Sequence, residues 1–261
     1  MPELADGGPA AARALALSVA AFTHLGAVRT RNEDTIAIGD WVMSQSMDQP
    51  MTLRRIIDRP TVCLVADGLG GHAGGDVASR FVAERLAERA AEAADAAALT
   101  ALLGALDLEL LAMMRARPGL EGMGTTVAGL HVAPAGLNIF NVGDSRVYRV
   151  GPTSLIQLST DDTPGPKLAD GRTAAYTTAL LTQSLGGWHE PEGVTPHVLA
   201  EPVEGRYLIC SDGLTDLLDP EAIATRIEDD DAASVAALFE AAMAAGGHDN
   251  VSIVLARLHP A

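Results

Sequence analysis

Three strongly apolar segments each run into an aspartate beside a glycine: VCLVA into Asp67-Gly68, IFNV into Gly143-Asp144, and YLICS into Asp212-Gly213. A fourth case is inverted, with His248-Asp249-Asn250 standing before VSIVLARL, and an acidic pair, Glu33-Asp34, lies in a polar loop after a strand-like run. Taken singly, each Asp-Gly is a common turn dipeptide, and an Asp at a strand end serves as a local cap. Taken together they point to chemistry. Apolar strands are fixed in a core, so their ends are rigid platforms. If those ends converge, four or five carboxylates meet, and like charges at that range cannot all stay ionised without a cation. Oxygen donors with no paired His or Cys select hard ions, Mg²⁺ or Mn²⁺, over Zn²⁺, and the seven histidines show no HxxxH or HxH spacing. Two such ions roughly 3.5–4 Å apart would lower the pKa of a shared water and give a nucleophile near neutral pH. Arg29 lies four residues before Glu33 on the same loop. A guanidinium takes phosphate oxygens bidentately, although a solvated loop residue or an ion pair with Glu33 explains Arg29 equally well.

The elements that must position these residues fall into separate runs of strands and helices. LALSVAAFTHLG reads as a strand leading into the polar loop AVRTRNEDT, and TIAIGDWVM and MTLRRIID, separated by SQSMDQP, read as a hairpin. TVCLVADGLGGHAGG is a buried strand entering a glycine-rich turn. GGDVASRFVAERLAERAAEAA has helical spacing, with Phe81 and Leu86 on the apolar face and Glu84, Arg85, Glu88 and Arg89 opposite. ALTALLGALDLELLAMMRAR is a second helix, ended by Pro118-Gly119. GTTVAGLHVAP, GLNIFNVGDSRVYRVG and TSLIQLST are short strands. Residues 160–187 are irregular, with a short helix predicted near Thr177 to Ser184; a long aperiodic segment is usually functional or mobile. VTPHVLAEPVEGRYLICSDGLTDLL returns to strands, PEAIATRIE and DAASVAALFEAAMAAG are helices, and NVSIVLARLH is a closing strand. Segregated strand and helix runs predict an α+β fold with antiparallel sheets. The expected organisation is a loose tail over residues 1–12 and one domain over 13–261. Trp41, Trp188 and Met113-Met114 read as packing residues, and Thr125 and Thr126 as the start of a strand with backbone-satisfied hydroxyls.

Composition narrows the class. Of 261 residues, 48% are hydrophobic and only 3% aromatic, so the core must be built largely from Leu, Val, Ile and Ala. A net charge of -16 argues against nucleic acid or anionic lipid as partners. The two cysteines, Cys63 and Cys210, sit in apolar runs as small hydrophobes, form no CxxC pair, and fit a reducing, cytoplasmic setting. The N-terminal apolar stretch follows Glu and Asp rather than a basic patch, which argues against a signal peptide, and no run of about 18 apolar residues predicts a membrane span.

These segments resemble the metal-dependent Ser/Thr protein phosphatases of the type-2C (PPM) family in their compact bacterial form. The resemblance runs from about Thr23 to Leu258, and six pieces occur in the family's order: Gly26-x-Val28-Arg29-x-x-Asn32-Glu33-Asp34, VADGLGGHAGG, GMGTTV, NVGDSRVY, CSDGL and GHDNVSIV. It implies a four-layer α-β-β-α sandwich, two antiparallel sheets flanked by helix pairs, with a binuclear Mn²⁺/Mg²⁺ centre at one end. By that likeness Asp67 bridges both metals and the carbonyl of Gly68 completes one. Asp212 and Asp249 hold the first metal, and Glu33 or Asp34 serves the second. Asp144 with Asp212 matches a weaker third site, and Arg29 binds the substrate phosphate. The implied reaction is direct attack of a metal-bridging hydroxide on phosphoserine or phosphothreonine. The chain departs from many members at two places: Leu69 follows the Asp-Gly where eukaryotic members carry His, and Asp161-Asp162-Thr163 stands where many bacterial members have Asp-His. His72 is a candidate substitute acid, and the segment from Asp161 to Gly187 corresponds to the family's variable flap.

The implied partners are phosphorylated proteins, including a cognate Ser/Thr kinase and its substrates, and the chain is expected to be a monomer. Two other classes stand beside this one. A catalytically silent binding module would be expected to have lost one of Asp67, Asp212 and Asp249, and all three are present. A hydrolase of small phosphorylated molecules would keep the same metal centre and differ only in the flap.

Overall fold

The computed structural model describes residues 14–69, 74–134, 136–152, 154–164, 180–187 and 193–261. The predicted tail over 1–12, His72, Trp188 and most of the predicted flap lie outside the described residues.

Two antiparallel sheets form the centre. The first has six strands in the order β10-β9-β13-β14-β1-β4, where β1 is Leu15–His24, β4 Met51–Ile57, β9 Arg146–Val150, β10 Leu155–Gln157, β13 Gly205–Cys210 and β14 Val251–Pro260. The second follows the path β11-β6-β5-β7-β8-β12, with β2 paired to β5 and β3 paired to β2. Its strands are β2 Asp34–Ile38, β3 Trp41–Met43, β5 Thr61–Leu69, β6 Gly124–Thr125, β7 Val127–Ala133, β8 Gly136–Val142, β11 Leu185–Gly186 and β12 His197–Glu201. Helices α1 (Gly75–Arg89) and α2 (Ala96–Ala116) cover the second sheet, while α3 (Asp212–Thr215), α4 (Pro220–Ala224) and α5 (Asp231–Ala244) belong to the first. The layers are those of the expected α-β-β-α sandwich.

The central strands read as continuous apolar runs because both of their faces are buried. On β1, Leu15, Leu17, Val19 and Ala21 point between the sheets, whereas Ala20 and Phe22 pack under α5. On β14, Val254, Ala256 and Leu258 face inward, and Val251, Ile253 and Leu255 face the helices. On β5, Cys63 and Val65 join the inter-sheet core, while Val62, Leu64 and Ala66 meet α1 and α2. Both cysteines are buried free thiols, as read from their neighbours. Helix α2 is long and apolar enough to cross a membrane by length and composition. Here its Leu99, Leu103, Leu106 and Leu110 are buried against the second sheet.

Two local readings are corrected. TIAIGDWVM is itself the hairpin, turning at Gly39-Asp40, with Ile36 opposite Met43 and Ile38 opposite Trp41. Gly39 has φ +59°, a conformation open to glycine at little cost. MTLRRIID does not pair with it. It crosses to the other sheet as edge strand β4 against β1, and alternates half-buried and exposed as an edge strand must. The apolar face of α1 is as read: Leu86 with Ala78, Val82 and Ala83 is buried, and Phe81 packs half-buried at its border under the Arg85 guanidinium. The described end of the predicted Thr177–Ser184 helix, residues 180–184, is not helical.

Candidate metal centre

All eight residues singled out for chemistry come together where the ends of β1, β2, β5, β8, β13 and β14 meet. Asp67 and Asp34 are register partners on neighbouring strands. Asp67 lies near the end of β5, which continues through Leu69. Its backbone is clamped: Asp67 N–H donates to Thr126 Oγ1 at 3.2 Å, and the Asp67 carbonyl accepts from Thr125 Oγ1 and from Thr126 N–H, both at 2.9 Å. Thr126 is in turn bonded to Ser145 at 2.7 Å. Gly68 is needed for close approach, since a Cβ there would lie 2.2 Å from the Gly75 carbonyl oxygen and 2.6 Å from that of Glu33.

The loop carrying Arg29 and Glu33 is stapled by Asn250. Its Oδ1 accepts from Glu33 N–H at 2.8 Å, and its Nδ2 donates to the carbonyls of Leu25 and Arg31. Asn32 donates to Thr23, which bonds Ser252. Asp249, one residue before the staple, accepts from Arg29 Nη2 at 2.7 Å. Asp212 opens α3 directly after β13, and its neighbours Ser211 and Ser252 are bonded together.

The electrostatics follow from burying like charges. Asp34 is fully buried, and loss of water pushes its carboxyl up to about 7 although Ser211 donates to it at 2.8 Å. Burial drives Asp67 well above the usual carboxylate range, reinforced by Asp34, Asp212, Asp144 and Asp249. Asp212 rises to about 6 through burial and the nearby Asp249 and Asp216, even with a hydrogen bond from Asp67. Asp144 rises to about 7 for the same reason, with Asp212, Asp161 and Asp216 around it. Glu33 is also raised, by burial and by Asp76. Proteins do not normally gather buried acids without a compensating cation.

The donor set fits hard divalent ions. Asp34 Oδ1 and Asp212 Oδ1 are buried with no hydrogen-bond partner, two oxygens with free lone pairs at the centre of the cluster. Among the described residues no three acidic, histidine or cysteine side chains already close on one point. The cluster is open, with Asp249 turned to Arg29 and Asp34 to the serines, as expected of carboxylates that repel one another. Residues that could hold an ion are therefore Asp67, Asp212 and Asp249, with Glu33, Asp34, Gly68 and Asp144 beside them. Sequence reasoning missed Asp216, whose only signal was its four-residue spacing from Asp212. It also missed the small polar clamps Thr126, Ser145, Ser211, Ser252 and Asn250.

A family model described as Protein phosphatase 2C matches residues 52–256. The serine/threonine protein phosphatase PstP of Mycobacterium tuberculosis is 34% identical over 254 residues, which cover 93% of this chain and 45% of PstP. The chain thus spans about half the length of that relative. The serine/threonine phosphatase stp of Listeria monocytogenes is 28% identical over 249 residues, covering 89% of this chain and 92% of that protein. The crystal structure of the PstP catalytic domain in complex with two manganese ions is similar with a TM-score of 0.73, at 34% identity, covering 94% of this chain and 99% of that one.

Proposed function

The chain belongs to the protein phosphatase 2C family, and from that premise we propose that it is a Mn²⁺- or Mg²⁺-dependent phosphatase of phosphoserine and phosphothreonine in proteins. The observation that carries this reading is the cluster of fully buried Asp34 with half-buried Asp67 and Asp212, in which Asp34 and Asp212 each keep one buried oxygen without a partner. Residues 13–261 act as one catalytic domain. Asp67 would bridge two ions, with the Gly68 carbonyl beside it; Asp212 and Asp249 would hold one ion and Glu33 or Asp34 the other. Asp144 with Asp212 would form a weaker third position. Bound there, the ions would neutralise the cluster and supply an activated hydroxide for direct attack on phosphorus.

The chain's own residues do the rest. Thr125 and Thr126 hold the Asp67 backbone, and Asn250 holds the loop that brings Glu33 and Arg29 to the site. A cation at Asp249 would replace the guanidinium charge that now faces it, leaving Arg29 to take phosphate oxygens. The free thiols fit a reducing, cytoplasmic compartment, and the substrates we infer are phosphoproteins, among them a Ser/Thr kinase that acts with this chain.

Hydrolysis of p-nitrophenyl phosphate and of a phosphothreonine peptide is expected to depend on added Mn²⁺ or Mg²⁺ and to disappear in excess EDTA. Full activity in chelator would overturn the proposal. In the same assay Arg29→Ala should raise KM about tenfold or more, the scale of a lost bond to a charged group; an unchanged KM and kcat would remove Arg29 from the site.

A further inference from the structure

We propose that Asp162 and His197 form a positioning pair that sets the Gly143-Asp144 turn, so that a histidine on an edge strand controls the cation affinity of the Asp144 side of the centre. The part concerning cations rests on the function proposed above; the part concerning the turn does not.

Asp162 is 8% exposed and every polar group it carries is engaged. Its Oδ2 accepts from Gly143 N–H at 2.8 Å, and its own N–H donates to the Gly143 carbonyl at 3.0 Å, so residues 143 and 162 hold each other from both sides. The Asp162 carbonyl accepts from Thr182 N–H at 2.7 Å, which ties in the far end of the segment that leaves after residue 164. Its remaining oxygen, Oδ1, meets His197 Nε2 at 2.8 Å. Position 143 admits only glycine. It sits at φ +98°, and a Cβ there would be 2.6 Å from Thr126 Cγ2. Thr126 is the residue that clamps Asp67, so the Asp144 turn and the Asp67 strand share one contact.

His197 is well placed to fix the rotation of the Asp162 carboxylate. It lies on β12, opposite Asn141 of β8, and β8 is the strand that delivers Gly143 and Asp144. Its ring is 36% exposed and borders a cavity of about 360 Å³ together with Asn141, Leu158, Thr160 and Pro196. Packing on that side is therefore incomplete, and the bond to Asp162 is what orients the ring against the turn. Without it the carboxylate is free to swing away and leave the buried Gly143 N–H without its acceptor, a costly outcome. Asp144 stands next along the chain, among Asp212, Asp161 and Asp216.

The test compares His197→Ala and His197→Gln with the parent chain. Gln carries an amide N–H that reaches about as far as Nε2. Two readouts are used: amide hydrogen exchange of the metal-free protein over residues 141–147, and equilibrium dialysis of Mn²⁺. His197→Ala should speed exchange at 143–144 about tenfold while β5 and β14 keep their protection. It should also weaken the lowest-affinity Mn²⁺ site about tenfold, the low end of the cost of losing an outer-shell partner. His197→Gln should restore both. Unchanged exchange in His197→Ala, a uniform loss of protection across all strands, or no rescue by Gln overturns the pair. If the parent binds no Mn²⁺, the proposed function fails, and the exchange data alone decide the pair.

Discussion

Asp67→Asn and Asp212→Asn are each expected to lower the phosphatase rate by at least on the order of 10²–10³-fold, the scale of removing one preorganised electrostatic group from a site. The same substitutions are expected to leave the metal-free protein at least as stable at pH 7.5. Both results come from one cause. The cluster concentrates carboxylates of like charge, and burial with mutual repulsion raises Asp67, Asp212 and Asp34 together. Asparagine keeps the size of the side chain, and its amide at position 67 can still donate to Asp212, while the cost of either ionising a carboxyl there or holding its proton at pH 7.5 is gone. A residue needed only for folding would show the opposite pairing, with stability falling and the surviving folded fraction fully active. Steady-state kinetics beside thermal melts in EDTA distinguish the two. A folded Asp67→Asn protein retaining more than about a tenth of the parental rate would contradict the assignment.

The metal-free protein should lose stability as pH rises, and Mn²⁺ should restore it most where the loss is greatest. Asp34 and Asp144 hold their protons to about 7 and Asp212 to about 6 in the folded chain, whereas unfolded carboxylates release theirs near 4. Between those limits the native state binds more protons than the unfolded state, so unfolding free energy falls as pH climbs from about 4 through 7. Below about 4 both states are protonated and the contribution is flat. Cations bind the deprotonated form, so their benefit grows over the same window. A few kcal/mol spread over these groups corresponds to a melting shift on the order of 10 °C for a chain of this size. Melting curves at pH 5.5 and 7.5, with and without Mn²⁺, should show a small metal increment at the lower pH and a large one at the higher. Asp212→Asn should flatten the metal-free slope. Equal increments at the two pH values would count against a metal-binding acid cluster.

The sequence exposed the acids more readily than the groups that aim them. Asp67, Asp212 and Asp249 stand out because each borders an unbroken apolar run, and such runs exist because β5, β13 and β14 are buried on both faces. The α+β class with antiparallel sheets was legible from the segregation of strand and helix runs, whereas the four-layer arrangement came from the family resemblance. Strand partners were not legible. β4 looks like the natural mate of the preceding apolar stretch, yet it pairs with β1 across the molecule, and the tight turn at Gly39 was hidden inside what looked like one element. The supporting shell was invisible for a different reason. Thr126, Ser145, Ser211 and Ser252 are small polar residues in or beside strands, and only three-dimensional contact separates a clamp from a filler. Asp162 looked like a missing histidine in the sequence, while the structure supplies a histidine from 35 residues away.

The central claim is that these distant carboxylates share hard cations, and anomalous diffraction from crystals soaked in Mn²⁺ at neutral pH tests it most directly. Two strong peaks are expected within ligand distance of Asp67, one also against Asp212 and Asp249 and the other toward Glu33 or Asp34, with Asp249 drawn away from Arg29. Well-ordered carboxylates with no peak among them, or manganese bound only elsewhere on the surface, would contradict it.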